Sequence, residues 1–277
     1  MYRALRYVPR NHLSYVVGKL VHLPLPRRMS LALIHWFARR YGVSLDEAAE
    51  PPEAYQSLGK FFTRDLKKGA RPIGEGIVSP VDGTIAELGA IEDDRLLQVK
   101  GLTYSVRELI QVEDIAARFR HGSFLTFYLA PGDYHHIHSP VNGSVSEAVH
   151  IPGTLWPVNT WSVGSIQNLF CVNERILLVM DSAFGHVGVM MVGATNVGSI
   201  RLTFDDLTAN IRPSFRRGKI ERRQYNPGVP FERGERLGTF HMGSTVILLF
   251  EPGRFQPQPG CSTGRVLYGT QLNEVIQ

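Results

Sequence analysis

The sequence predicts an α+β protein with a mainly β core of packed antiparallel or mixed sheets behind an N-terminal amphipathic helical prefix. Helical spacing of apolar residues is confined to roughly the first 65 of 277 residues. From Ile77 onward the chain breaks into short apolar and β-branched runs separated by Gly and Pro, which is the punctuation of strands. Apolar residues make up 43% of the chain and charged residues 20%, enough to furnish a core and to exclude bulk disorder.

In the prefix, Leu13, Val16, Val17 and Leu20 fall at i, i+3, i+4, i+7, and Leu33, Trp36, Phe37 and Tyr41 at i, i+3, i+4, i+8. Each set makes one apolar stripe on a helix. Pro24 and Pro26 separate the two helices, Ser44 to Ala49 reads as a further helix start, and after the Pro51-Pro52 break another short helical stretch runs into Phe61-Phe62. The formal charge of +5 is concentrated here: Arg3, Arg6, Arg10, Lys19, Arg27, Arg28, Arg39 and Arg40 precede the first acidic residue, Asp46. A basic end is attracted to any negative surface, nucleic acid or anionic membrane. The apolar stripes favour a membrane surface over nucleic acid, with bulky side chains in the acyl boundary and arginines among the head groups. Packing of the same stripes on the protein's own core is the other reading, and both stay open. Neither stretch approaches the run of about 18 apolar residues that a spanning helix needs, and no signal-peptide cleavage pattern follows a short apolar core.

The expected strands are Gly83 to Ala86, Phe124 to Leu129, Gly143 to Val145, Arg175 to Met180, Gly188 to Val192, Ser199 to Leu202 and Val246 to Phe250. Several are continuously apolar, as strands covered on both faces are. The polar, basic stretch Arg212 to Arg223 reads as a mobile loop, and no internal repeat is evident. Cys171 and Cys261 make no disulfide framework and no metal-ligand spacing, and are expected to be free thiols in a reducing compartment.

Three clusters place reactive residues beside expected strands: Ser79 to Gly83 (SPVDG), Asp133 to Pro140 (DYHHIHSP) and Phe240 to Thr245 (FHMGST). A Gly-Ser pair before a strand is often only a turn. Its chemical reading is specific, because the carbonyl of Gly243 is sterically open to the hydroxyl of Ser244. Attack converts the amide to an ester. β-Elimination then leaves a carboxylate on Gly243 and a dehydroalanine at position 244, which hydrolyses to a pyruvoyl group with loss of ammonia. The hydroxyl needs a base. An Asp82–His–Ser244 relay drawn from the histidine cluster supplies one, whatever the order along the chain. His136 and His138 share a strand face, but no further ligand completes a metal set, so none is expected.

SPVDG at 79–83, KGLTYS at 100–105, YHHIHSP at 134–140, VGATNVGSI at 192–200 and GTFHMGSTV at 238–246 stand in the order of the landmarks of the phosphatidylserine decarboxylases, which this chain resembles over roughly residues 55 to 255. The resemblance implies self-cleavage between Gly243 and Ser244 into a β chain of 243 residues and an α chain of 34 beginning with the pyruvoyl cofactor. It implies Asp82, His138 and Ser244 as the cleavage triad, His135 as a residue handling substrate or decarboxylation, and no role for His136. Met242 stands where the family pattern has Leu, a swap that conserves volume. The resemblance further implies phosphatidylserine as substrate, phosphatidylethanolamine and CO2 as products, a homodimer, and a peripheral position on the cytoplasmic side of the cell membrane. Residues 1–65 would then be the membrane-associating region and 66–277 the catalytic β-rich domain. Two other readings use the same residues: a serine hydrolase that keeps its chain intact, although Met242 to Val246 is no GxSxG elbow, and a non-enzymatic membrane-surface binding protein.

Overall fold

The computed structural model describes residues 10–99, 102–158, 160–195, 199–209, 218–241 and 244–274; the side chains of Leu13 and Ser244 are among those not described. Helices α1 (Arg10–Val21), α2 (Arg27–Tyr41) and α3 (Leu58–Phe62) come first. The prolines break the chain where expected. Helix α2 ends at Gly42, left-handed at φ 67°, whose N–H caps Ala38 O, and α3 starts at Ser57, whose hydroxyl accepts from Lys60 N. Ser44 to Ala49 is not helical but turns into a bridge between Ala48 and Leu66, since Pro51 and Pro52 leave too little chain to propagate a helix. No helix among the described residues is long and apolar enough to cross a membrane.

Thirteen strands follow among the described residues: β1 (Gly83–Ala90), β2 (Arg95–Val99), β3 (Leu102–Ser105), β4 (Ser123–Leu129), β5 (His136–His138), β6 (Gly143–Ile151), β7 (Arg175–Ser182), β8 (Gly185–Val192), β9 (Ile200–Leu202), β10 (Glu221–Phe231), β11 (Arg236–Phe240), β12 (Ser244–Phe250) and β13 (Gly264–Val266). Short helices α4 (Val106–Ile110), α5 (Glu113–Phe119), α6 (Thr160–Val163) and α7 (Leu169–Val172) lie between them. Among the described residues all strand pairs are antiparallel, so of the two sheet types expected the antiparallel one is seen there. The main sheet runs β10-β6-β7-β8-β12-β4-β1-β13, a second runs β5-β11-β9, and β2-β3 is a separate pair.

The central strands are apolar throughout because both faces of the large sheet are covered. On β7, Ile176, Leu178 and Met180 enter a core shared with Ile137, Leu237 and Phe240 of the small sheet. Leu177 and Val179 enter the opposite core with Leu109, Phe119 and Phe170 of the short helices. These helices span four to seven residues, too few for a 3.6-residue period to register in sequence. Arg175 locks them down. Fully buried, it donates from Nε to Leu109 O (2.7 Å), from Nη1 to Cys171 O and Asn173 O (both 2.7 Å) and from Nη2 to Glu108 O (2.9 Å). It thereby closes the last carbonyls of α4 and α7. Arg175→Leu strands these acceptors in the core and is expected to cost about 4 kcal/mol. That lowers the thermal midpoint by roughly 10 °C in differential scanning calorimetry.

Contrary to the sequence reading, the chain contains an internal repeat. Ser79-Pro80-Val81-Asp82-Gly83-Thr84-Ile85-Ala86-Glu87 and Ser139-Pro140-Val141-Asn142-Gly143-Ser144-Val145-Ser146-Glu147 lead into β1 and β6, and the strand order is a palindrome that exchanges them. The hydrogen bonds repeat as well. Ser79 and Ser139 hydroxyls donate to Val81 O and Val141 O, and Val78 N and His138 N donate to Pro140 O and Pro80 O. Asp82 Oδ1 and Asn142 Oδ1 accept the backbone N–H groups of Tyr268 and Arg233. Both strands bulge after matched positions, Ile85 and Val145. The repeat escapes a sequence reading because only about nine residues keep visible similarity while the pairing repeats over the whole sheet. The basic stretch expected to be a loop also ends differently: within it, residues 210–217 lie outside the described residues, while Arg222 and Arg223 belong to edge strand β10. There Arg222 pairs with Glu147 and Asp114, and Arg223 with Asp205, Asp206 and Glu221.

Candidate active site

The two sheets bring four of the sequence clusters together. Strand β11, which leads toward position 244, pairs with β5 so that Thr239 faces His136, and with β9 so that Phe240 faces Ile200. Phe240 N donates to His135 O and His241 N to Ser199 O, both 2.9 Å. The SPVDG turn closes the group through His138 N to Pro80 O. Ser244 then opens β12, opposite Leu129 of β4. Its side chain, with Met242 and Gly243, lies outside the described residues. KGLTYS takes another place: Tyr104 is buried against Phe170 in the helix-side core, and Lys100 and Gly101 lie outside the described residues.

A turn sets up the histidine strand. Asp133 N donates to Ala130 O, while Asp133 Oδ2 accepts from Ala130 N (2.7 Å) and Oδ1 from Arg265 (2.5 Å). All three histidines of β5 and its approach are buried. His138 Nδ1 donates to Gly234 O (2.7 Å), which leaves Nε2 as the basic nitrogen, and Nε2 accepts from Tyr134 Oη (3.2 Å). Tyr134 Oη in turn accepts from Arg236, which is paired with Asp65. Desolvation pulls the His138 imidazole down to about 4, so it is neutral at neutral pH. His135 Nδ1 donates to Asp133 O (2.8 Å), and its Nε2, also basic, is buried with no hydrogen-bond partner. Its ring lies 4.0 Å from that of Phe62, and burial lowers it to about 3. His136 commits both nitrogens, accepting from Thr239 Oγ1 (2.7 Å) and donating to Thr63 O (3.2 Å).

Asp82 is 2% exposed. Its carboxylate accepts Arg71 Nε (3.1 and 3.2 Å) and Nη2 (2.8 Å), and the Tyr268 N–H (2.8 Å). Arg71 also reaches Glu47 at 2.7 Å, and these acceptors raise its pKa. No hydrogen bond joins Asp82 to His138; Gly234 O sets the imidazole tautomer instead. Tyr268 connects the two, its backbone holding Asp82 and its ring lying flat on His138, with centroids 4.0 Å apart and planes 9° apart.

Sequence reasoning missed Arg71, Gly234, Arg236 and Tyr268. Gly234, Arg236 and Tyr268 meet their partners across long stretches of chain, and Arg71 meets Asp82 eleven residues away without a helical or strand period to announce it. Tyr134 alone sits inside a motif that drew attention.

Residues 58–273 match the family model described as phosphatidylserine decarboxylase. The phosphatidylserine decarboxylase proenzyme of Anaeromyxobacter sp. (strain K) is 43% identical over 274 residues, covering 97% of this chain and 96% of that protein. The proenzyme of Myxococcus xanthus (strain DK1622) is 42% identical, covering 91% and 89%. That of Vibrio cholerae serotype O1 (strain ATCC 39541 / Classical Ogawa 395 / O395) is 39% identical, covering 88% and 87%. With the match spanning both sheets and the whole histidine strand, the chain belongs to the phosphatidylserine decarboxylase family.

Proposed function

We propose that the chain cuts itself between Gly243 and Ser244 and that the product decarboxylates phosphatidylserine to phosphatidylethanolamine at a membrane surface on the cytoplasmic side. The observation that carries this reading is the convergence of the Asp82 turn, the histidine strand and the Ser199 segment on the strand that leads into Ser244.

In the cut, the Ser244 hydroxyl adds to the Gly243 carbonyl carbon and the C–N bond breaks, leaving an ester and a free amine. Loss of the Cα proton of residue 244 expels the Gly243 carboxylate from Cβ. Water then replaces the resulting enamine nitrogen, releasing ammonia and leaving a ketone. His138 Nε2 is the base for the hydroxyl proton: its burial keeps it unprotonated, and Tyr134 Oη holds it until the hydroxyl takes that place. Asp82 supplies negative charge beside the imidazolium that forms and anchors Tyr268 against its ring.

The residues present fit a pyruvoyl group at position 244, because a buried polar atom beside that segment, His135 Nε2, has no partner. When present, the group supplies an electron sink for the electrons left by departing CO2. His135 Nε2, unprotonated at rest, takes up a proton released by the substrate ammonium group and returns it to the substrate carbon. The burial that keeps His135 neutral before turnover also excludes water from that proton.

The membrane side of the reading is supported by exposed Val16, Leu20, Leu23, Met29 and Trp36 on the prefix, beside exposed Arg27, Arg28, Arg39 and Arg40. The α2 stripe divides: Phe37 packs with Ile34 and Ala38 against Phe61 and Phe62, whereas Trp36 and Tyr41 face solvent. Packing on the protein's own core accounts for one face of α2, and the exposed face supports the membrane contact proposed here.

Intact mass spectrometry of the purified protein tests the cut, with chains of 243 and 34 residues expected and an uncut, active chain overturning it. Asp82→Asn isolates the charge. Asn142 already performs the same backbone-capping task in the repeated turn, so the substituted turn keeps its geometry. We expect Asp82→Asn and His138→Ala each to slow processing at least ~100-fold, followed by gel electrophoresis over time. Asp82→Asn is expected to stay folded by circular dichroism.

A further inference from the structure

A cavity of about 330 Å3 lies between α1, α3 and the β9–β11 segment, and its charge is of one sign. Lys19, Lys60 and Arg201 stand at its exposed rim, and His22, Ser199 and His241 line it deeper in. No acidic residue lines it, and none of the three cations has an acidic partner among the described residues. The Ser199 hydroxyl is buried there without a hydrogen-bond partner. His22 donates Nδ1–H to Gly18 O (2.8 Å), and its ring lies 5.6 Å from that of His241. Three cations with no counter-charge and a spare hydroxyl donor make a site that lacks an anion.

Position relates this cavity to the reaction. His241 precedes Ser244 by three residues, so its backbone lies within about 10 Å of that residue by chain reach. In a serine phosphodiester only the Cα, Cβ and Oγ atoms separate the amine from phosphorus, so a head group engaged at position 244 places its phosphate nearby. The residues of α1 that line the cavity occupy one face of the helix, while Val16 and Leu20 project from the other side into solvent. A helix lying in the interface with Val16 and Leu20 in the acyl boundary sets its polar face, and the cavity behind it, at head-group depth.

We infer that this cavity holds the phosphodiester of the lipid substrate, with Lys60 and Arg201 as its charge partners and the Ser199 hydroxyl as a neutral donor. Lys19 closes the membrane side of the rim. The inference rests on phosphatidylserine being the substrate, and its test is arranged to separate the two.

Ser244→Ala protein, which cannot turn over, is titrated calorimetrically with glycerophosphoserine, dihexanoylphosphatidylserine below its micelle concentration, and inorganic phosphate. Both serine phosphodiesters are expected to bind, and Lys60→Gln or Arg201→Gln, added to that background, to weaken each about tenfold. Lys60→Arg is expected to restore binding. Inorganic phosphate binding as tightly as glycerophosphoserine marks a free-phosphate site and overturns the assignment to lipid, as does binding that neither substitution weakens. In proteins that retain Ser244 and are cut, the same substitutions should raise KM for glycerophosphoserine about tenfold with kcat within about twofold. Loss of vesicle sedimentation with unchanged KM assigns the cations to membrane recruitment and overturns the proposal. An uncut wild-type chain overturns the function proposed above, while the titration still decides whether the cavity binds a phosphodiester.

Discussion

Ser244→Ala is expected to remain a single chain of 277 residues with no decarboxylation above background, a loss of at least 1,000-fold by order of magnitude. No other group can replace the hydroxyl, because the same oxygen must form the ester and then leave Cβ with the Gly243 carboxylate. The fold should be indifferent to the change. Position 244 opens β12, where register comes from backbone pairing with Leu129 and from Val246, Leu248 and Phe250 in one core and Ile247 and Leu249 in the other. The thermal midpoint should therefore stay within a few degrees of the uncut wild type, so that lost activity cannot be laid to unfolding. Intact mass and phosphatidylethanolamine production are measured together. A processed Ser244→Ala chain, or an unprocessed one that still releases CO2, would sink the mechanism.

The second large effect is a loss of stability in mild acid. Burial holds His135 and His136 down to about 3 and His138 to about 4, against an ordinary value near 6.5. Between these values the unfolded chain binds protons that the folded chain does not, so folding is fully favoured above about pH 6.5 and weakens as pH falls toward 4. Each histidine contributes about 1.4 kcal/mol per pH unit once well below 6.5, so three give on the order of 4 kcal/mol per unit. That is a large share of a typical domain's stability. Urea unfolding midpoints from pH 7.5 to pH 5 should fall steeply below pH 6.5, and His136→Gln, which keeps an amide donor and acceptor for Thr63 and Thr239, should lower the slope by one proton. A midpoint that stays flat down to pH 5 would show that these rings are solvated or charged in the native state. The same burial that leaves His138 ready to act as a base makes the site costly to keep folded in acid.

The strands expected at 83–86, 124–129, 143–145, 175–180, 188–192, 199–202 and 246–250 all occur, some of them longer at one or both ends. For the central strands β4, β7, β8 and β12 the cause is simple, since strands covered on both faces are apolar along most of their length, while β1, β6 and β9 were marked by their β-branched residues. The short helices from Val106 to Val172 were not legible, since fewer than two turns carry no period. Edge strand β10 was hidden because its side chains are polar, and it is held by pairing with β6 and by Arg222 and Arg223. The prefix showed that apolar stripes exist but not which face each would cover. Trp36 and Phe37 are adjacent in sequence, yet one lies in solvent and the other against Phe61 and Phe62.

By itself the sequence determined the chemical inventory: which strands are doubly buried, that the basic charge lies at one end, and that Asp82, three histidines and a Gly-Ser pair stand in motifs matching one family. Only the tertiary structure decided how these groups are wired. It gave Asp82 to Arg71 and Tyr268 rather than to His138, set the His138 tautomer through Gly234, left His135 Nε2 free, and folded SPVDG and SPVNG into two matching turns. The reason is range. Composition and period act within a few residues and can be read there, whereas a hydrogen bond between Asp82 and Tyr268 or a ring stacked on His138 depends on segments more than 100 residues apart, brought together only when both sheets close.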